Sequence, residues 1–453
     1  MVNLNIKKIT DKDVEDMMAG IEDNNLLRDG LCGYDLSNVD LSELSLGSFK
    51  RLSFDEKTIF SEEQLEQFHP FEQLELSKSP GESIKELHNM GIDGAGIKIA
   101  VIDSNIDINQ ELFSSSKIEF IETERSGKKE VHGATVLSAL LGVVPNAEIR
   151  YYADNKYDKN RDKNILGYIN DIIENSEIKI ISMSSNIRDI EMKNKIYELL
   201  RHKGITLIDS NTFYKNFTYC FREFDECGNE KFEEAFCEAE EIDLEETQKA
   251  VKEKIKKYFD EYGINDENVE LSLEKLRTKL LNEGKEDIVN GIDKFREYIV
   301  NDNVYGKDGI NYKRKQNERK EEERERIRNN SVEIPCGGRT FVGKGGIYKY
   351  FATCSASYTI PQCAGLYALA KQVNGELSFE NFINICKESS LKVDNRSIIN
   401  PLQMIDLVQK QQNIETNNFF SQLKALVNES KIDISIETSK EDQRNRINED
   451  YQL

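Results

Sequence analysis

The chain holds four histidines, and only His132 stands in a setting that chemistry could use. It opens His132-Gly133-Ala134-Thr135-Val136, where the glycine permits close backbone approach and an apolar helical pattern follows. His69 lies between Phe68 and Pro70, His88 on a short helical stretch, and His202 at a helix end, where a dipole partner is ordinary. A second candidate is Asp103, which leaves the β-branched run 97–102. In open α/β sheets, reacting groups gather at the carboxyl ends of strands. The third is Cys354-Ser355-Ala356-Ser357-Tyr358-Thr359-Ile360-Pro361-Gln362-Cys363-Ala364-Gly365, leading into an apolar helix. A hydroxyl there would sit at a helix N-terminus, whose dipole and free N–H groups stabilise developing negative charge. Each segment alone has an ordinary alternative: a turn-capping aspartate for Asp103, an N-capped buried helix for 354–370.

Those residues need elements to position them. Runs at 97–102, 178–183 and 205–208 read as buried parallel strands. Helical spacing separates them at 132–142, where Val136, Leu140 and Val143 share a face, and at 192–200. The alternation predicts an α/β fold with a doubly wound, mostly parallel sheet. Ser79-Pro80-Gly81-Glu82 predicts a helix capped by Ser79, with Pro80 at its first position. Residues 33–54 carry a five-residue rhythm, with Leu36, Leu41 and Leu46 in one phase, which predicts a short pentapeptide-repeat-like coil.

From 221 to 330 the pattern changes: 53 of 110 residues are charged, and no proline occurs between Pro145 and Pro335. Apolar stripes at Val251, Ile255 and Phe259, capped by Asp243 with Glu246, and at Ile288, Ile292, Phe295 and Ile299 predict a helical insertion. It ends in the charge-dense run 313–328, the composition of a solvated helix face. The expected organisation is an N-terminal region 1–79, an α/β domain split into 80–220 and 332–412, an insertion at 221–331, and a C-terminal extension 413–453.

The order Asp103, His132, Ser357, in strand, helix and helix contexts, resembles the subtilisin-like serine proteases, the subtilases. Their Asp-Ser/Thr-Gly motif looks like Asp103-Ser104-Asn105, and their His-Gly-Thr-x-Val like 132–136. Their Gly-Thr-Ser-x-Ala-x-Pro-x-Val-Ala-Gly looks like 355–365, and counting four back from Pro361 selects Ser357 over Ser355 as nucleophile. The resemblance covers roughly 80–215 and 333–412. It implies a subtilisin type of sheet and a serine endopeptidase. It also implies Asn211 as an oxyanion-hole amide and Ser184, Ser185 and Asn186 as the substrate-binding strand, beside which an extended peptide would add. That chemistry requires no cofactor, and no loop has calcium-ligand spacing, so no metal is expected. Asn105, Ser210 and Ser355-Ala356 stand where the family has glycine or Gly-Thr, so side chains are expected to crowd the site. A catalytically impaired or partner-regulated subtilase-fold protein acting by binding is the alternative. Cys354 is the rival nucleophile.

With 83 acidic and 61 basic residues, the net charge of −22 repels phosphate backbones, which argues against nucleic acid as a partner. The longest nearly apolar stretch, 136–145, is roughly half the ~20 residues that span a membrane. The first 18 residues lack an apolar signal core, and the eight cysteines form no Cys-x-x-Cys pair, so reduced thiols and a cytoplasmic location are expected. With the resemblance, these features imply narrow cleavage of a peptide or protein substrate inside the cell. Such a substrate could be a ribosomally made peptide precursor, or a target in spore germination, stress or defence. The insertion lies between Asn211 and Ser357 in the chain, so it is expected to gate the cleft, recognise substrate or dock a regulatory protein.

Overall fold

A computed structural model of the protein describes residues 2–3, 7–18, 30–174, 177–224, 230–234, 257–264, 269–283, 285, 289, 331–393 and 395–413. The apolar runs form the strands of its central sheet. Lys98–Ser104 (β1), Lys117–Ile121 (β2), Glu148–Asp154 (β3), Ile180–Met183 (β4) and Thr206–Asp209 (β5) lie parallel in the order β2-β3-β1-β4-β5. Helices Val131–Val143 (α1), Arg161–Glu174 (α2) and Ile190–His202 (α3) connect them.

β1 has no polar alternation because both of its faces are covered. Ile99 and Val101 pack with Leu137 and Leu140 of α1, whereas Ala100 and Ile102 pack with Ile165 and Ile169 of α2 and Ile196 of α3. The sheet is therefore doubly wound, as its sequence pattern requires. After β3 the chain crosses β1 to reach β4, so the strand order reverses beside β1. At such a reversal the carboxyl ends open into a crevice.

A second sheet holds Phe217–Phe224 (β6), Glu230–Glu234 (β7) and Val332–Gly337 (β8). After a hairpin of Arg339–Val342 (β9) and Tyr348–Phe351 (β10), the strands Leu391–Val393 (β11) and Arg396–Ile398 (β12) complete it in the order β7-β6-β8-β12-β11. The boundary expected at 221 thus falls inside a strand. Phe221 and Cys220 are buried, and Arg222, 1% exposed, is neutralised by Glu230 on the neighbouring strand. The high charge of the segment masked a buried ion pair. Of the insertion, Val269–Asn282 is helical, with Leu273, Leu276 and Leu280 packed on Ile264 and Val289, and Phe259 lies in the helical stretch 257–261. Asp243, Glu246, Val251, Ile255, Ile288, Ile292, Phe295, Ile299, the run 313–328 and the extension beyond 413 lie outside the described residues.

The N-terminal region builds its own core from Ile9, Leu36, Leu41, Phe49, Phe54 and Phe68, and Tyr350 of β10 enters it. The strand Phe54–Asp55 adds to β10. The five-residue rhythm has two structural turns. Asp35 and Asp40 accept from Ser37 and Ser42 N, and Val39 and Leu44 N donate to Leu36 and Leu41 O. The third turn departs, because Ser45 caps the short helix Leu46–Phe49 and leaves Leu46 49% exposed. Ser79 also departs from expectation. Gly81, at φ +116°, precedes the helix Glu82–Asn89, while Ser79 lies in the turn that follows the helix Pro70–Ser77, where Ser77 O and Ser79 O accept from Arg222.

The helices Ala356–Val373 (α4) and Phe379–Ser389 (α5) follow β10, and a last helix at 401–413 buries Met404, Ile405 and Val408 in the same core. α4 is almost wholly buried and runs against α1. A Cβ on Gly365 would lie 2.8 Å from Val143 Cβ, so the glycine sets how closely the two helices approach. No helix among the described residues is long and apolar enough to cross a membrane.

Candidate active site

Asp103 is the penultimate residue of β1, 6% exposed, at the end of the strand beside which the order reverses. His132 is the second residue of α1, and its Nδ1 lies 2.7 Å from Asp103 Oδ1. Ser104 ties the two elements together. It donates to Asp103 Oδ1 through its N–H (2.8 Å) and hydroxyl (3.1 Å), and its Oγ accepts from Gly133 N at 3.0 Å. Tyr151 Oη on β3 donates to Ser104 O at 2.7 Å. A Cβ on Gly133 would meet Tyr151 Oη at 2.1 Å and Ser104 O at 2.4 Å, which is why glycine must follow the histidine.

Burial disfavours the charged form of the His132 imidazole, but the hydrogen bond and charge of Asp103 outweigh it and raise the pKa above 6.5. The Lys156 charge lowers it and the Glu130 charge raises it further. With Nδ1–H donated to the carboxylate, Nε2 carries the free lone pair.

Ser357 occupies the first turn of α4, behind the N-cap Ser355, whose Oγ accepts from Ser357 N at 3.2 Å. Pro361, four residues on, has no N–H, so the Ser357 carbonyl lacks its helical donor. Ser184 Oγ supplies the missing bond at 2.7 Å. The residue expected to touch substrate thus holds the backbone of the candidate nucleophile.

The segment expected as a substrate-binding strand turns immediately after β4, because Ser185 N donates to Met183 O at 2.7 Å. Arg161 braces it, donating to Asn186 O at 3.0 Å and to Ser185 Oγ at 2.6 Å. The same guanidinium pairs with Asp154 Oδ2 at 2.6 Å, both side chains at most 5% exposed. Burial raises the Asp154 carboxyl despite Arg161.

Asn211 lies in the single turn Ser210–Phe213, capped by Asp209. Its Nδ2 donates to Asn186 Oδ1 at 3.0 Å and to Asp209 Oδ2 at 3.4 Å. Tyr197 Oη donates to the same Asp209 oxygen at 2.5 Å. Among the described residues, the side-chain hydrogen bonds of His132 and Asn211 therefore go to Asp103, Asn186 and Asp209, and not to the Ser357 hydroxyl.

Asn105 does not crowd the site, for its side chain donates away from it to Glu122 Oε1 (2.8 Å) and Gly127 O (3.0 Å) and fixes the loop before α1. The Cys354 thiol packs on β8, where a Cβ on Gly337 would lie 2.6 Å from its Sγ. Among the described residues, no three His, Cys, Asp or Glu side chains group as a metal site. Tyr151, Asp154, Arg161, Tyr197 and Asp209 had no signal in the sequence, since each acts through a contact that only the fold creates.

No protein-family model matches the chain, and no curated protein does. Solved structures do. The prenylagaramide maturation protease PagA matches at 13% identity over 72% of this chain and 98% of its own, with a TM-score of 0.38. The PatG macrocyclase domain matches at 10% identity over 72% and 95%, TM-score 0.40. A structure of the subtilase cytotoxin SubAB assembly matches at 10% over 76% and 98%, TM-score 0.41. Values of this size assign neither activity nor residues.

Proposed function

We propose that the protein is a serine endopeptidase of subtilisin-like type. Ser357 Oγ attacks a peptide carbonyl while His132 Nε2 takes its proton, forming the C–O bond of a tetrahedral intermediate. The same imidazole then protonates the leaving amine as the C–N bond breaks, and water hydrolyses the acyl-enzyme by the reverse sequence. Asp103 holds Nδ1–H and stabilises the imidazolium, while the Asn211 amide and the Ser357 N–H are the donors for the oxyanion.

The observation that carries this reading is the 2.7 Å bond between buried Asp103 and part-exposed His132 at the end of β1. It selects the one tautomer that leaves Nε2 as base. The Ser184 bond to Ser357 O supports the same reading, because it spends a side chain on fixing the backbone at that serine. A peptide precursor or protein cut narrowly inside the cell is the proposed substrate, with the insertion as its recognition or docking element. Digestion of a peptide library tests the activity. Wild type should give a restricted set of cleavages, and Ser357→Ala none; cleavage retained in the mutant would end the proposal. If a folded chain lacking 240–325 kept the same cleavage profile, the insertion would have no part in recognition.

A further inference from the structure

Both donors assigned to the oxyanion are already engaged within the protein. Ser357 N donates to Ser355 Oγ at 3.2 Å. Asn211 Nδ2 has two hydrogens and makes two bonds, to Asn186 Oδ1 at 3.0 Å and, more weakly, to Asp209 Oδ2 at 3.4 Å. The two stronger acceptors share a feature: Ser355 stands at the glycine of the Gly-Thr-Ser motif, and 184–186 resembles the Ser-Leu-Gly strand of the subtilases, so Asn186 stands at its glycine; a glycine offers no side-chain acceptor. Asn186 is held against Asn211 from behind, because its carbonyl is pinned by Arg161 and Arg161 by buried Asp154. Asp209, fixed by Tyr197 and by Thr212 N, anchors Asn211 from the other side.

We propose that Asn186 and Ser355 form a latch on the oxyanion site, each occupying one of its donors until a reacting carbonyl displaces it. The inference rests on the protease reading above. Both latch acceptors are neutral, whereas the tetrahedral intermediate presents an anionic oxygen, and hydrogen bonds to a charged partner are roughly twice as strong. The developing charge therefore wins the donors, but every acylation first breaks two bonds that a glycine at these positions would not make. The resting enzyme is slow by design of those two side chains, and Asn186 and Ser355 are positioning residues that act through Asn211 and the Ser357 N–H.

The test is the rate of covalent labelling by a fluorophosphonate, resolved into the maximal inactivation rate and the half-saturating concentration. Asn186→Gly and Ser355→Gly should each raise the maximal rate by about threefold or more, the size of one neutral hydrogen bond. The double variant should raise it further, with half-saturation unchanged. Ser355→Thr, which keeps the hydroxyl, should retain the slow rate. Adding Asn186→Gly to Asn211→Ala should give no gain. Ser355→Gly keeps a residue tolerated at a helix N-cap, so the variant should stay folded with a Tm close to that of wild type. Labelling of wild type with unchanged or slower glycine variants would overturn the latch and leave the protease reading standing. Absence of Ser357 labelling in every folded variant would overturn both.

Discussion

Gly133→Ala probes the geometry of the Asp103–His132 pair without touching either side chain. An alanine Cβ at 133 would lie 2.1 Å from Tyr151 Oη, 2.4 Å from Ser104 O and 2.7 Å from Ile106 Cγ2. An ordinary contact is at least 3.4 Å, so neighbours must move by about 1 Å, and two of the three atoms belong to one hydrogen bond. Tyr151 is fully buried on β3 and cannot swing outward. Overpacking of this kind costs about 1–3 kcal/mol. Loss of the Tyr151–Ser104 bond, leaving buried polar groups unpaired, costs about 1–3 kcal/mol more. The expected destabilisation is about 2–6 kcal/mol, a fall in Tm of roughly 4–24 °C for a domain of this size. Because Gly133 N also holds Ser104, which holds Asp103, the same change should lengthen the Asp103–His132 contact and lower kcat in whatever fraction stays folded. Scanning calorimetry reads the first effect. Gly142→Ala is the control, since a Cβ there meets nothing within 4 Å and should stabilise α1 by about 0.5–1 kcal/mol. A Gly133→Ala protein within about 0.5 kcal/mol of wild type would refute the account of how α1 seats on β1.

Other consequences follow from the same contacts. Asp103→Asn should lower kcat by about 10⁴-fold with little change in KM, because the amide stabilises the wrong imidazole tautomer; steady-state kinetics on a cleaved peptide decides it. The base works only when His132 is neutral, and its pKa lies above 6.5, so activity should rise with pH along a limb centred above that value. Lys156→Met removes a charge that lowers the His132 pKa and should move that limb to higher pH, which a pH–rate profile will show. Arg161→Met strands Asp154 in the interior and should cost about 3–5 kcal/mol in denaturant titration, whereas Asp154→Asn with Arg161→Met should recover much of it.

The candidate site residues were legible as candidates because each sits on a local pattern. Asp103 ends a run of β-branched residues, His132 and Gly133 open an apolar helix, and Pro361 marks the position four residues after the serine. The structure supplies a physical reason for that last spacing, since the missing N–H of Pro361 makes room for Ser184 Oγ at Ser357 O. The supports were not legible. Arg161 meets Asn186 across 25 residues and Tyr151 meets Ser104 across 47, and neither contact leaves a periodic trace. β3 escaped notice because Glu148 and Arg150 interrupt its apolar run, yet Arg150 is paired on both sides, with Glu119 and Asp171. β6 was hidden for a related reason. Arg222 and Glu223 read as insertion charge until register places Glu230 against the buried guanidinium. Leu46 misled in the opposite direction, because a perfect five-residue phase cannot compete with Ser45 as a helix cap.

The claim on which all of this depends is that His132 makes the Ser357 hydroxyl a nucleophile. Peptide mapping by mass spectrometry, after treatment with a fluorophosphonate, tests it most directly. The adduct should fall on Ser357 in wild type and disappear in both Ser357→Ala and His132→Ala. A folded protein that carries no adduct in wild type or in the Asn186→Gly and Ser355→Gly variants, or carries it on Cys354, would contradict it.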